Sequence, residues 1–260
     1  MILRIFIGPA WRFLVISCLC IGFAGCSKNN TSADMPAVTS PLQLAITNMM
    51  NSHPLVRIDS VYTNPSGESF TITRFRYYLS NFSLVSTSGK TITLPPAYFM
   101  VDDADAASKI IILDSVPTGN YSSIRFLVGV DSARNVSGVQ TGALAPENGL
   151  FWTWNSGYIM AQMEGIAPVV NALENKFLFH IGGYKAADKV LNFITLDFPE
   201  AVVVAVDKHP LVSITADAAK WFTPDTISFK KVAVIMAPGA DAMKIAANYQ
   251  HMFSVKTIAN

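Results

Sequence analysis

The sequence predicts a mainly β protein, an antiparallel β-sandwich with a few short accessory helices. Many short segments are apolar or alternate between apolar and polar residues, and they are rich in β-branched and aromatic side chains. Turn-forming residues separate these segments at regular intervals, which is typical of two packed antiparallel sheets. The chain of 260 residues is long enough for one large β domain behind an N-terminal leader.

The strands are predicted in order along the chain. A polar turn at 64–67 separates an alternating segment at 55–63 from a long strand at 70–85, and a turn at 86–89 joins that strand to 91–94 as a hairpin. The same pattern predicts seven further strands, at 109–113, 121–129, 157–162, 176–181, 191–198, 201–206 and 211–214. Helical spacing is scarce and predicts short helices only at 41–51, 216–222 and 240–249.

The first 25 residues have the pattern of a lipoprotein signal peptide. Arg4 and Arg12 supply positive charge, an apolar run occupies 13–23, and two small residues at 24–25 precede Cys26. The apolar run is shorter than the ~20 residues that a membrane-spanning helix needs. We therefore predict cleavage before Cys26 and attachment of lipid to this cysteine, rather than an ordinary secretory signal or a membrane-spanning anchor.

The segment at 26–40 is predicted to be a flexible tether, because it is polar and has no hydrophobic periodicity. It would connect the lipid on Cys26 to a sandwich domain at 41–260. Ser27, and not an aspartate, follows the lipidated cysteine, which is similar to lipoproteins of the outer membrane. We expect the protein at the periplasmic face of that membrane.

Composition excludes several classes of function. Removal of the signal peptide takes away two of the 19 Lys and Arg residues and none of the 18 Asp and Glu residues, which leaves 17 against 18. A nearly neutral chain has no basic surface for nucleic acid. All three cysteines lie in the first 26 residues, so the domain has no disulfide or thiolate ligand. Phosphate-loop, nucleophile-elbow and zincin motifs are missing from the sequence, and we do not expect an enzyme.

Two tryptophans stand at an i, i+2 spacing in the segment 149–158. In an extended chain Trp152 and Trp154 project from the same face, about 6.6 Å apart along the strand. Such a pair either packs in a core or at its rim, or forms part of a site. His180 ends an apolar strand beside two glycines at 182–183, where it is either hydrogen-bonded within the fold or a metal ligand.

Six short motifs follow one another along the chain: Tyr62-Thr63-Asn64 with Gly67, Tyr77 to Asn81, Val128 to Asp131 with Asn135, Phe151 to Tyr158 with Glu164-Gly165, Phe179 to Gly182, and Asn248-Tyr249 with Met252-Phe253. In this order the sequence resembles the MbnP-like family over roughly residues 42 to 255. Members are secreted or lipid-anchored β-sandwich proteins. For the copper-binding members, the family implies histidine ligands and a tryptophan that a partner dihaem cytochrome c peroxidase oxidises to kynurenine.

The resemblance makes Trp152 or Trp154 the candidate for modification and His180 the best candidate ligand. Copper accepts imidazole nitrogen, and an aromatic amine made from tryptophan would supply a further donor. A family-type site also needs a second histidine near the modified tryptophan, but in this sequence the i+2 neighbour is another tryptophan. His53 is the other candidate ligand, and it could reach the site only if the first strand folds back beside Trp152.

Two functions of different class remain open. The first is a lipid-anchored periplasmic protein that binds or stores copper, with an oxidised tryptophan in its site. The second is a non-catalytic structural or ligand-binding lipoprotein that keeps the fold without a metal site. One firm histidine is too few for tight copper binding, so copper is predicted from the resemblance and not from the number of ligands.

Overall fold

The computed structural model describes residues 37–153 and 155–260, and these form two β-sheets. The strands in these ranges are β1 Thr39–Met50, β2 His53–Pro54, β3 Tyr62–Thr63, β4 Ser69–Ser86, β5 Thr91–Thr93, β6 Tyr98–Asp102, β7 Ile110–Pro117, β8 Gly119–Val128, β9 Phe151–Thr153, β10 Gly157–Ile166, β11 Lys176–Gly182, β12 Asn192–Val204, β13 Leu211–Asp217, β14 Val234–Ile235 and β15 Phe253–Ala259. The α-helices are α1 Ser132–Asn135 and α2 Ala240–Tyr249. Short 3₁₀ helices occur at Ala107–Lys109, Gly142–Leu144, Pro146–Asn148, Leu173–Asn175, Ala186–Asp188 and Ala218–Phe222.

The smaller sheet has five strands, and β1 lies at its centre. β13 pairs with one edge of β1 in parallel, while β7 and β2 pair antiparallel with the other edge. β15 pairs antiparallel with the far side of β13. Alternate side chains of β1, including Leu42, Leu44 and Ile46, are buried, because successive residues of a strand point to opposite faces.

The larger sheet has ten strands and is organised around β4. One edge of β4 pairs first with β10, from Thr71 to Tyr77, and then with β8, from Leu79 to Ser86. β6 and β5 pair with the opposite edge. β12 extends the sheet beyond β8, and β11 and then β14 extend it beyond β10. A single long strand therefore joins two groups of strands that lie end to end.

Aromatic side chains fill the core where the two sheets face each other. Tyr77 of β4 and Phe126 of β8 contact Phe253 of β15, with ring centroids 5.7 and 5.2 Å apart. Trp221, in the 3₁₀ helix after β13, is fully buried, and its ring centroid lies 5.7 Å from that of Phe75. Edge-on aromatic contacts of this kind add to the free energy gained from apolar burial.

Part of the outer face of the larger sheet is also covered. We call residues 141–150 the cover loop. The hydroxyl of Tyr78 donates to the carbonyl of Ala143 at 3.0 Å, and the hydroxyl of Tyr158 donates to the carbonyl of Leu144 at 2.8 Å. The two tyrosine rings meet edge to face at 5.9 Å. These contacts hold the cover loop, and the segment that follows it, against the sheet.

The mainly antiparallel β-sandwich predicted from the sequence is confirmed. α2 occupies the predicted helix at 240–249, and β4 extends the predicted long strand by one residue at each end. Only β1 with β13 and β11 with β14 pair in parallel among the described residues. Within the same residues, neither α-helix has the length and apolar character that crossing a bilayer requires.

Two predicted strands, at 191–198 and 201–206, form the single strand β12, and the helix predicted at 216–222 is the end of β13 followed by a 3₁₀ helix. Two further predicted elements were of the wrong type. The predicted helix at 41–51 is strand β1, because burial of alternate residues between two partner strands outweighs the local preference of Leu, Ala and Met for helix. The predicted strand at 55–63 contains only β3 at its end, because Ile58 has a positive φ of 70° and the chain turns there. β1 also begins at Thr39, inside the segment assigned to the tether.

Candidate functional site

β11 carries His180 on the outer face of the larger sheet. Strand alternation places Phe179 and Ile181 in the core and His180 on the opposite face, where it is 9% exposed. His180 is opposite Gln162 of β10, and Gln162 is opposite Arg76 of β4. Three neighbouring strands therefore place an imidazole, an amide and a guanidinium group in one row.

Glu164 lies two residues beyond Gln162 on β10 and joins this row. Its Oε1 atom lies 2.7 Å from Nε2 of His180 and accepts a hydrogen bond from Nε2 of Gln162 at 2.6 Å. Its Oε2 atom lies 3.4 Å from Nη1 of Arg74. We call Arg74, Arg76, Gln162, Glu164 and His180 the outer-face polar cluster.

The outer-face polar cluster favours an ionised Glu164. The hydrogen bond from His180 is the strongest influence on this carboxyl, and together with the positive charge of Arg74 it lowers the pKa of Glu164 below its ordinary value. Partial burial acts in the opposite direction but does not prevail. The cluster therefore contains a carboxylate that accepts hydrogen bonds and donates none.

Arg76 determines the orientation of the Gln162 amide. Nε and Nη2 of Arg76 donate to Oε1 of Gln162 at 2.8 and 2.6 Å, and Nη1 donates to the carbonyl of Asn148 in the cover loop at 3.0 Å. Because the guanidinium group only donates, the amide oxygen must face it. The amide nitrogen of Gln162 consequently faces Glu164 and His180.

Two of the candidate site residues have a buried polar atom without a hydrogen-bond partner, Nδ1 of His180 and Nε1 of Trp152. The other two such side-chain atoms in the described part of the chain belong to Trp221 and Tyr249, whose side chains are fully buried in the core. Buried polar atoms are nearly always bonded, so the unbonded atoms of His180 and Trp152 need an explanation.

Gly182 leaves space for the indole of Trp152. A methyl group on Gly182 would lie 2.5 Å from Cζ3 of Trp152 and 2.8 Å from the carbonyl oxygen of Tyr158, closer than carbon atoms pack. Gly182 and His180 are two residues apart on β11 and so share a face of this strand. The structure therefore places the indole on the side of β11 that also carries the imidazole.

The other candidate residues are not brought to this place. His53 is exposed in β2, which belongs to the smaller sheet. Across residues 37–153 and 155–260, no group of three or more His, Cys, Asp or Glu side chains is arranged to hold a metal ion. Trp154 and Cys26 lie outside the described residues, so their predicted roles in modification and lipidation remain predictions.

Sequence reasoning missed Arg76 and Gln162 as site residues and included Glu164 only within a family motif. A signal was present, because Arg74 and Arg76, like Gln162 and Glu164, are long polar side chains at an i, i+2 spacing inside predicted strands. Polar side chains at this spacing share one face of a strand. Their convergence on His180 depends on the strand order, which the sequence did not reveal.

The fold and the outer-face polar cluster define a class of protein: a β-sandwich with a histidine–carboxylate pair on the outside of its larger sheet. The MbnP family model matches residues 39–237, so the chain belongs to the MbnP family, as the six motifs predicted. Among solved structures, MbnP from Methylosinus trichosporium is similar at 15% identity with a TM-score of 0.51, over 78% of this chain and 83% of that chain. At this identity the likeness shows the fold. Curated protein sequences give no match.

Proposed function

We propose that this protein binds copper at the outer-face polar cluster, with Nδ1 of His180 as the protein ligand. The observation that carries the proposal is that this nitrogen is buried, has no hydrogen-bond partner and lies on the same side of β11 as Trp152. Imidazole nitrogen suits copper in either common oxidation state. Membership of the MbnP family supports the same metal.

The described residues fit only part of a copper site, because His180 is the one histidine in the outer-face polar cluster. A further donor would come from oxidation of Trp152 or Trp154. The indole nitrogen cannot serve, since its lone pair belongs to the aromatic ring, whereas kynurenine carries a free aromatic amine. Sδ of Met160 is not free to complete the site, because it accepts a hydrogen bond from the backbone of Val130 at 3.2 Å.

The proposed modification needs an oxidant, which a dihaem cytochrome c peroxidase would supply from hydrogen peroxide. Two equivalents of peroxide insert two oxygen atoms across the pyrrole C2–C3 bond, which breaks, and are reduced to water. Hydrolysis then releases the former C2 atom as formate. The net change in the residue is the gain of one oxygen atom and the loss of one carbon atom.

We propose that the protein acts at the periplasmic face of the outer membrane, anchored by lipid on Cys26. The lipoprotein signal pattern supports this location. The first strand begins at Thr39, which leaves a short polar spacer after the cysteine. The proposed role is binding without catalysis.

A second candidate function is a ligand-binding or structural lipoprotein that holds no metal. This alternative is favoured by the absence, within the described residues, of a second histidine beside His180. It is also favoured by the internal bonding of Arg76, Gln162 and Glu164, which use their polar groups on one another.

The two functions are separated by one set of measurements. Mass spectrometry of the protein from its own host examines the peptide that contains Trp152 and Trp154, and metal analysis uses the same sample. Cu(I) affinity is then measured by competition with a chelator for the wild type, His180→Gln and His251→Gln, the last being a control at an exposed histidine.

Copper binding predicts one modified tryptophan and a Cu(I) affinity at least about tenfold lower in His180→Gln, since a lost ligand weakens a site by that order or more. His251→Gln should bind as the wild type does. Two unmodified tryptophans, with equal affinities for all three proteins, would rule out the copper site and leave the second function.

A further inference from the structure

We propose that Glu164 is a positioning residue, which holds the proton of His180 on Nε2 and so leaves Nδ1 as the unprotonated nitrogen. The placement of the proton is a property of the protein itself. Its consequence for metal binding rests on the proposed copper-binding function.

The hydrogen-bond directions around Glu164 carry the argument. The Gln162 amide nitrogen is a donor, because Arg76 occupies the oxygen end of that amide. Both this nitrogen and Nε2 of His180 lie within 2.7 Å of the same atom, Oε1 of Glu164. A carboxylate oxygen can only accept, so Nε2 of His180 must carry a hydrogen to bond with it.

Two effects disfavour the alternative tautomer of His180, in which the proton is on Nδ1. Its Nε2 lone pair would face the carboxylate oxygen of Glu164 at 2.7 Å, where two electron-rich atoms repel. Its Nδ1 hydrogen would be buried without an acceptor, because that atom has no partner in the fold. The single gain is a hydrogen bond from Nε2 of Gln162 at 2.8 Å. The contact between Gln162 and His180 is therefore an approach of two donors that share one acceptor.

The Glu164 side chain is itself restrained on both oxygens. Gln162 donates to Oε1, and the guanidinium group of Arg74 lies 3.4 Å from Oε2. Arg76 restrains Gln162 in turn and is bonded to the cover loop through the carbonyl of Asn148. A chain of bonds from the cover loop to the imidazole therefore sets which nitrogen of His180 is free.

A carboxylate behind a histidine affects the nitrogen that faces the metal. It fixes the ring orientation and increases the basicity of the far nitrogen, and loss of such a partner typically costs about 10- to 100-fold in metal affinity. Under the proposed function, Glu164 therefore contributes to copper affinity without contacting the metal.

The test is an NMR spectrum of the full mature protein without metal at neutral pH, recorded through the two-bond ¹H–¹⁵N couplings of the imidazole rings. These couplings report which nitrogen of each histidine carries the proton. His180→Gln identifies the signals of His180. Glu164→Leu removes the acceptor, Glu164→Gln keeps an amide oxygen that can accept from Nε2, and Glu174→Gln is the control. Glu174 is an exposed carboxylate whose partner is Lys176.

The wild type, Glu174→Gln and Glu164→Gln should each show His180 with its proton on Nε2. Glu164→Leu should shift the ¹⁵N signals toward the tautomer with the proton on Nδ1, because Gln162 then donates to Nε2. Its Cu(I) affinity should fall about 10- to 100-fold, and Glu164→Gln should restore most of this loss.

A proton on Nδ1 of His180 in the wild type would overturn the proposal without any variant, even if Glu164→Leu does not fold. An unchanged His180 pattern in a folded Glu164→Leu would overturn it as well. A wild type that binds no Cu(I) would defeat the proposed function alone, because the NMR spectra of the metal-free protein would still decide the role of Glu164.

Discussion

Glu68 and Glu164 are two partly or fully buried glutamates whose surroundings differ in one respect. Glu68 accepts hydrogen bonds from Asn64 at 2.8 Å, from Ser228 at 2.8 Å, and from the backbone N–H groups of Phe229 at 2.7 Å and Lys230 at 3.3 Å. The bond from Asn64 closes the 64–68 turn, and the other three join this turn to the segment after Trp221. Both carboxylate oxygens of Glu68 and the donors around them are therefore bonded within the fold.

Glu164 also accepts several hydrogen bonds, but one of its donors, His180, has a second ring nitrogen that can bind another partner. His180 uses Nε2 on the carboxylate and keeps Nδ1 without a partner. Burial and hydrogen bonding of a carboxylate therefore do not by themselves mark a binding site. What distinguishes Glu164 is its histidine donor on the outer face of the sheet, whose second nitrogen is buried and has no partner.

The largest effect on stability is expected at Glu68. Glu68→Ala removes four hydrogen bonds and leaves the buried N–H of Phe229 without an acceptor, so the free energy of unfolding should fall by about 3 kcal/mol. Urea unfolding followed by tryptophan fluorescence measures this. Glu174→Ala, at an exposed glutamate, should leave the midpoint unchanged, and Cu(I) affinity should not change in either variant. Equal midpoints for Glu68→Ala and the wild type would contradict the structural role of Glu68.

The pH dependence of Glu68→Gln sharpens this result. Burial, the strongest single influence, raises the pKa of Glu68, but the four hydrogen bonds together lower this pKa below 4.5. A lowered pKa in the folded state means that the carboxylate stabilises the fold above about pH 4.5 and loses this contribution as the pH falls through the folded pKa. The stability difference between wild type and Glu68→Gln should therefore shrink in acid. A constant difference down to pH 3 or so would argue against a lowered pKa.

A smaller loss is expected on the other side of the comparison, at Gly182. Gly182→Ala introduces a methyl group 2.5 Å from Cζ3 of Trp152, and such overpacking typically costs about 2 kcal/mol. The near-ultraviolet circular dichroism of Trp152 should change with it. The double variant Gly182→Ala with Trp152→Ala should recover part of the loss, and the remainder comes from the Tyr158 carbonyl. Strict additivity of the two single variants would mean that Trp152 does not occupy the space above Gly182.

The smallest effect is expected in the attachment of the cover loop. Tyr158→Phe removes the hydrogen bond to the carbonyl of Leu144 and should cost about 1 kcal/mol. Amide hydrogen exchange within residues 141–150 should become faster, while exchange in the smaller sheet stays the same. Tyr78→Phe, which removes the bond to Ala143, provides a matched variant. Uniformly faster exchange throughout the domain would show that Tyr158 stabilises the whole fold rather than this loop.

Much of the fold could be predicted from the sequence, because its signals are local. The long strand β4 and the helix α2 both show their apolar period in consecutive residues. β1 could not be assigned in the same way, since Leu42, Leu44 and Ile46 alternate but stand among strong helix formers. Residues 39–50 form a strand and not a helix because they pair with β13 and β7, which are distant in sequence.

The candidate site was predictable in part for the same reason. Trp152 was predicted from the i, i+2 spacing of two tryptophans, and His180 from its position at the end of an apolar strand. The structure places both side chains on one side of β11. The role of Glu164 required the register of β10 against β11 and the hydrogen-bond directions imposed by Arg76. Register and donor direction are three-dimensional quantities that a single sequence does not contain.

The central position of β1 has a mechanical consequence. The chain enters the domain at Thr39 and passes directly into a strand that β7 and β13 clamp on its two edges. A pull along this strand from the N-terminal side loads both ladders in shear, so their hydrogen bonds resist together instead of opening one after another. If the protein is held by a tether at this end, β1 is the strand that receives the force. The outer-face polar cluster lies on strands of the other sheet, so this force does not act on those strands directly.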